Sequence, residues 1–266
     1  MEFTETVLVL QVGRFRETDV WVRFFSPSKG VRTGFAFGGS RSRRRFSGCL
    51  DACNQVRFHV KVARRGEYLN LVEGDLVKAP QRLRHDWRRM GVAANCLKFL
   101  EAVMAGAPGP EIAAPAYELA RETLDALDAA EEISPVFPLF FRARVAFGLG
   151  LGYAPSLDSC SGCGAPAFAP CGEKSAEDTA APAGLCFLVE EGRALCPSCK
   201  ARTSGFSLPL GPASLRTLTY VCERQPADWT LLRPEGQERR ECAALVDHFV
   251  RFHLGLAWDN GRFQRV

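Results

Sequence analysis

Val56-Arg57-Phe58-His59-Val60-Lys61-Val62 alternates apolar and polar residues with a period of two. Successive side chains of a β-strand leave on opposite faces, so this period marks a half-buried strand. Phe58, Val60 and Val62 fall on one face, Arg57, His59 and Lys61 on the other. Working outward, Thr6–Val12, Val20–Phe25, Val31–Phe37 and Tyr68–Val72 are short and similarly rich in β-branched and aromatic residues. Ser26-Pro27-Ser28-Lys29-Gly30, Gly38-Gly39 and Arg65-Gly66-Glu67 supply turn residues between them. Five short strands predict a small closed barrel over residues 1–80, with the five-stranded OB barrel as the expected version. An SH3-like barrel would give almost the same pattern.

Residues 81–157 change period. Leu97, Leu100, Val103 and Met104 recur at helical spacing, as do Leu119, Thr123, Leu124 and Leu127, and Pro108-Gly-Pro110 separates the two sets. A further helix is expected from Val136 to Leu149, apolar on nearly every face and therefore central to a bundle. Gly148-Leu-Gly-Leu-Gly152 follows a helix and lacks a Gly-Lys-Ser/Thr ending, so it reads as helix termination rather than a phosphate loop. Ser214–Arg224 and Glu238–Leu256 are again helical, and residues 206–266 are expected to pack on the helical domain. The fold class is α+β and multidomain.

Between these helices lie Cys160-Ser-Gly-Cys163 and Cys196-Pro-Ser-Cys199. Two intervening residues let both sulfurs of a pair turn onto one small cation, and two such pairs supply the four soft ligands of tetrahedral zinc. Residues 158–205 are therefore predicted to be an inserted zinc module, with 165–184 an extended loop rich in Ala, Pro and small polar residues. Cys171 and Cys186 lie between the knuckles as rival ligands. Cys49, Cys53, Cys96, Cys222 and Cys242 have no paired spacing and read as small buried hydrophobes. The opening MEFTETVLVL has neither the charge pattern nor the cleavage site of a signal peptide. A reducing cytoplasm is the expected compartment, where paired cysteines more often hold metal than form disulfides. No apolar run approaches the roughly 20 residues that span a bilayer, which predicts a soluble protein.

The net charge of +4 conceals an asymmetry: residues 1–80 hold fourteen Lys and Arg against eight Asp and Glu. A basic barrel suits a polyanionic partner. The densest run is Arg41, Arg43, Arg44 and Arg45, within Phe37–Phe46. Trp21, Phe35, Phe37, Phe46 and Tyr68 are candidate rings for base stacking. Phe46, beside the arginine run and expected in a loop, leads them. The sequence contains no Walker lysine loop, Gly-x-Ser-x-Gly elbow or His-Glu-x-x-His, and His248 and His253 lack paired-ligand spacing. A zinc site with four protein ligands has no open position, so the expectation is binding rather than catalysis. Two rivals predict different behaviour. An RNA-binding zinc-ribbon factor of translation or transcription would prefer structured RNA, and a thiol-redox or metal-dependent enzyme would need a reactive cysteine or an open metal position.

Three stretches together resemble the RecO family, the bacterial recombination mediators of the RecFOR pathway. Glu17-Thr-Asp19 with Phe24–Gly30 is similar to the family's acidic turn and its strand ending in glycine. Ala36–Phe46, running to Leu50, looks like its glycine–arginine segment. Leu149-Gly-Leu-Gly-Tyr-Ala-Pro155 leads into the first cysteine pair, and Phe187-x-x-Glu-Glu-Gly192 precedes the second. The resemblance implies an N-terminal OB fold, a central helical domain and a zinc module. It also implies binding of single- and double-stranded DNA, annealing of complementary strands, and contact with the tail of single-stranded-DNA-binding protein. With RecR, such a protein helps RecA replace that coat, and it is not an enzyme. On this reading Arg14, Arg32, Arg41, Arg43, Arg44, Arg45, Lys61, Arg64 and Arg65 are the expected phosphate contacts. Cys160, Cys163, Cys196 and Cys199 would hold zinc, and Arg121, Arg142 and Arg144 are candidates near a tail-binding groove.

Overall fold

The period-two segments become five strands: β1 (Glu2–Arg14), β2 (Val20–Ser26), β3 (Gly30–Ala36), β4 (Gln55–Val62) and β5 (Leu69–Lys78). The structure is a computed structural model and describes residues 2–63, 68–105, 109–149, 151, 156–167 and 184–266. The strands close in the order β1-β2-β3-β5-β4, antiparallel except where β3 meets β5 at Gly34–Leu69 and Phe35–Asn70. This is the expected OB-type barrel. β1 serves two neighbours: Glu2–Leu8 pairs with β4 and Leu8–Arg14 with β2, with a register shift between Val9 and Gln11. Val7, Val9, Val20, Val22, Phe24, Val56, Phe58, Val60 and Leu71 fill the barrel, which matches their shared face in each strand. Where Gly74 faces Phe58 across β4 and β5, a Cβ would lie 2.7 Å from that ring, so only glycine fits.

The chain divides into two compact units, Met1–Glu131 and Glu132–Val266. The boundary falls inside the 81–157 stretch read from sequence as one helical domain. In the first unit, α1 (Arg82–His85), α2 (Trp87–Met104) and α3 (Pro110–Ala129) follow the barrel. Phe25, on the outer face of β2, meets Tyr117 of α3 with ring centroids 6.0 Å apart. Arg23, two residues away on the same face, bonds Glu101 of α2. The two helices thus cover one half of the β2–β3 outer face.

In the second unit α4 (Phe137–Gly148) is the apolar helix expected, with Phe137, Leu139, Phe140, Phe141, Val145 and Phe147 all buried. It packs against α6 (Pro212–Glu223), α7 (Pro226–Trp229) and α8 (Gly236–His253). Phe137 meets Trp229 at 5.7 Å and Phe147 meets Phe249 at 4.7 Å. A small sheet in the order β7 (Arg193–Leu195), β6 (Leu185–Leu188), β8 (Ser207–Leu210) carries α5 (Pro197–Lys200). The last helix stops at His253, short of the expected Leu256, because Gly255 turns the chain at a φ of 59°. The strands β9 (Leu256–Asp259) and β10 (Arg262–Arg265) follow as a hairpin. Among the described residues, no helix is long and apolar enough to cross a membrane.

Candidate nucleic-acid interface and metal centre

The uncovered half of the β2–β3 outer face is aromatic. Trp21 and Phe35 are cross-strand partners, and Trp21 also stands opposite Gly13 of β1. Phe15, just past β1, lies 5.2 Å from Phe35 and 6.3 Å from Phe37, edge to face. Tyr68, just before β5, lies 5.9 Å from Phe35 and 6.1 Å from Phe37. Phe15, Phe37 and Tyr68 are 39%, 38% and 40% exposed, high for rings of this size. Phe46 is not among them. It is 3% exposed and packs on Phe58 at 6.4 Å, closing one end of the barrel core beside Cys49. The expectation of a loop ring at Phe46 is thereby corrected: burial of a large apolar surface outweighs the polar character of its neighbours. Phe15 was missed by sequence reasoning. The run Arg14-Phe15-Arg16, an apolar ring between two cations just past a strand, was the available signal.

The loops bearing these rings are tied together. Asp19 accepts the Gly38 N–H at 2.8 Å, and its own carbonyl accepts the Phe15 N–H at 3.2 Å. Ser40 N–H reaches the Thr18 carbonyl at 3.0 Å. Arg45 donates to the Phe37 carbonyl at 2.7 Å, and its guanidinium lies 5.2 Å from the Phe46 ring centroid. Arg16 sits 5.8 Å from the Phe15 ring centroid. Arg41 lies in a short 3-10 turn, Gly39–Arg41, 3.9 Å from Glu17. Arg14, Arg43 and Arg44 are exposed, and Arg43 and Arg44 make no ion pair among the described residues.

Two of the sequence-nominated cations stand apart from this group. Arg32 is half-buried, shares the inward register of Phe24 and donates to the Val31 carbonyl at 2.9 Å. Lys61 projects from β4 and pairs with Glu2 at 3.1 Å, a bond that holds the Glu2 carboxyl below its ordinary range. Arg64 and Arg65 lie outside the described residues. Of the candidates for a tail-binding groove, Arg121 is ringed by Glu118, Glu122 and Asp125, and Arg142 pairs with Asp247 at 3.0 Å.

In the second unit the two cysteine pairs converge. The sulfurs of Cys160, Cys163, Cys196 and Cys199 all lie within 4.8 Å of one another, and Cys163 and Cys196 are 3.7 Å apart. Tetrahedral zinc with bonds of about 2.3 Å places its sulfurs roughly 3.8 Å apart, whereas a disulfide needs about 2.05 Å. The first pair turns through Gly164, at a φ of 74°, and the second opens α5 with Cys196 as its N-cap. Cys160 Sγ accepts the N–H of Cys196 at 3.1 Å and of Gly162 at 3.4 Å. Burial pushes the Cys160 thiol up, but these donors, with Cys163, outweigh it and bring it down to about 6. Cys199 is pushed up to about 12 by hydrogen bonds to Cys163, Cys196 and Cys160, a crowding of sulfurs that a cation would relieve. A Cβ on Gly162 would come within 3.2 Å of Cys199 Sγ, so glycine keeps the cradle open. The donor set fits a soft four-coordinate ion and leaves no vertex for substrate. Cys186, on β6 opposite Leu195, is not part of the cluster, which removes it as a rival ligand; Cys171 lies outside the described residues.

Comparison with known proteins matches both parts of the chain. Family models for the N-terminal and C-terminal regions of Recombination protein O match residues 1–80 and 84–262. The DNA repair protein RecO of Nitratidesulfovibrio vulgaris is 45% identical over 266 residues, the whole of both chains. That of Solidesulfovibrio magneticus is 46% identical over 267 residues, again all of both. That of Anaeromyxobacter dehalogenans is 31% identical across 97% of this chain and 94% of its own. An OB-type barrel, a four-cysteine cluster and similarity along the full length converge: the chain belongs to the Recombination protein O family of DNA repair proteins.

Proposed function

We propose that this protein is a non-enzymatic recombination mediator of the cytoplasm, which binds and anneals single-stranded DNA. With RecR, it helps RecA displace the coat of single-stranded-DNA-binding protein, whose C-terminal tail it contacts. Family membership supports the pathway, and the exposed arginines of the β3–β4 connection support the strand-binding step. The observation that carries the reading is the placement of Arg43 and Arg44, exposed and without ion pairs among the described residues, in a segment hydrogen-bonded to the β1–β2 connection of an OB-type barrel. Annealing requires no bond chemistry. Cations that neutralise phosphates lower the repulsion between two strands and hold them together long enough to pair. Arg14, Arg41 and Arg45 extend that surface, and Arg64 and Arg65 are further phosphate contacts proposed from sequence alone. Arg32 and Lys61 act at most as outlying contacts. Zinc, held by Cys160, Cys163, Cys196 and Cys199, cross-links the two knuckles and takes no part in chemistry.

The test is annealing of complementary strands precoated with single-stranded-DNA-binding protein, with and without its tail. Annealing that is lost or slowed without the tail supports the reading. Failure to anneal in either case, or a preference for structured RNA, overturns it. Replacing Arg43 and Arg44 with Gln removes two phosphate contacts. The slope of log affinity for single strands against log salt should then fall by about 1.4.

A further inference from the structure

We propose that Phe15, Trp21, Phe35, Phe37 and Tyr68 form a base-stacking surface that makes this protein prefer single-stranded over duplex nucleic acid. Gly13 and Asp19 are its positioning residues. The proposal rests on the nucleic-acid reading above and adds to it the source of strand discrimination. Phosphate contacts alone cannot supply that discrimination, because both single strands and duplexes carry phosphates. Bases differ: in a duplex they are already stacked and enclosed, while in a single strand each can lay a π-face on a protein ring.

Four observations point to this occupant. The rings are contributed by β2, β3 and the connections that flank them, the region where OB barrels receive oligonucleotides. Three of them are more than a third exposed although they touch one another, so the patch is an open apolar surface and not a core. Its rim is cationic: Arg14 and Arg16 border Phe15, and Arg45 binds the Phe37 carbonyl. Lastly, the surface is pre-shaped. The Trp21 ring lies across Gly13, where a Cβ would overlap its indole, so glycine lets the ring rest flat on the sheet. The Asp19 carboxylate holds the Gly38 N–H, which fixes Phe37 against the loop that carries Phe15. Rings held in place before binding lose little freedom when a strand docks.

The test compares binding of a fluorescent oligo-dT, a mixed-sequence single strand and its duplex across a salt series. Replacing Phe37 and Tyr68 together with Ala should weaken single-strand binding at least about tenfold. Duplex affinity should stay within about twofold, and the salt slope should be unchanged. Both side chains are exposed, so folding is preserved. Asp19→Ala should lower the single-strand to duplex ratio, and Asp19→Asn, whose amide oxygen can still accept the Gly38 N–H, should restore it. Gly13→Ala should lower the ratio by tilting Trp21. An unchanged ratio in the Phe37/Tyr68 variant overturns the proposal while leaving phosphate binding intact. So does an equal loss on both substrates, or a loss confined to a protein partner. A wild-type protein that binds neither form of DNA would instead bring down the parent reading.

Discussion

Among the described residues, Arg89 is the most heavily committed cation. Its side chain is 9% exposed and sits beside Asp86 at 3.1 Å, while its guanidinium donates to the carbonyls of Leu127, Ala130 and Glu131 at 2.7–2.9 Å. Leu127 lies in the last turn of α3, where carbonyls lack intrahelical partners, Ala130 is its C-cap and Glu131 follows. The cation therefore also meets the negative end of the helix dipole. Asp86 in turn caps α2 through the N–H groups of Arg88 and Arg89. Arg89→Ala leaves those carbonyls and the carboxylate short of a donor. It should cost about 3 kcal/mol of unfolding free energy, readable as a shift in urea midpoint at constant slope. Nothing in the local sequence of Arg89 distinguishes it from Arg88, which is exposed. Phe46 is the opposite error. Its neighbours in sequence are arginines, and only the closure of the barrel places its ring against Phe58.

At the level of elements, α6 begins under a carboxylate that belongs to α8. Glu241 accepts the Gly211 N–H at 2.7 Å, the Ser214 hydroxyl at 2.6 Å and the Gln237 amide at 2.6 Å. Burial raises its pKa, but these donors outweigh burial and hold it below its ordinary 4.5. A depressed folded-state pKa contributes stability that is complete above pH 4.5 and is lost as pH falls through the lowered value. Stability of the second unit should therefore decline as the pH falls below 4.5. In Glu241→Gln that decline should be shallower, from a lower starting value at pH 7, as followed by thermal melts across the range. The five barrel strands and α4 were readable because their apolar patterns repeat along contiguous residues. The cap from Glu241 joins positions thirty residues apart, and no period marks it. The terminal hairpin did have a signal: Asn260 and Gly261, at φ values of 46° and 78°, form the Asn-Gly turn that favours paired strands.

For the molecule as a whole, the four-cysteine cluster and the proposed nucleic-acid surface belong to different compact units, so their failures should separate. Cys196→Ser should abolish stoichiometric zinc, measured by atomic absorption, and open residues 158–167 and 184–205 to limited proteolysis. Single-strand affinity, which the proposal assigns to the barrel, should be unchanged. Zinc retained at full stoichiometry would bring Cys171 in as the replacement ligand. The metal cluster was legible from spacing because each pair is local. The aromatic surface was legible only as scattered candidates, since residues 15, 21, 35, 37 and 68 meet through strand register and loop ties. A last consequence comes from Phe25, which lies on the outside of the barrel, is fully buried, and meets Tyr117 of α3. The barrel's own strands are complete at Lys78, but α3 ends at Ala129. During translation at about 5–20 residues per second, the nascent barrel therefore waits roughly 3–10 seconds with this apolar flank bare. Over that interval it is a client for whatever holds unfinished chains apart at the ribosome.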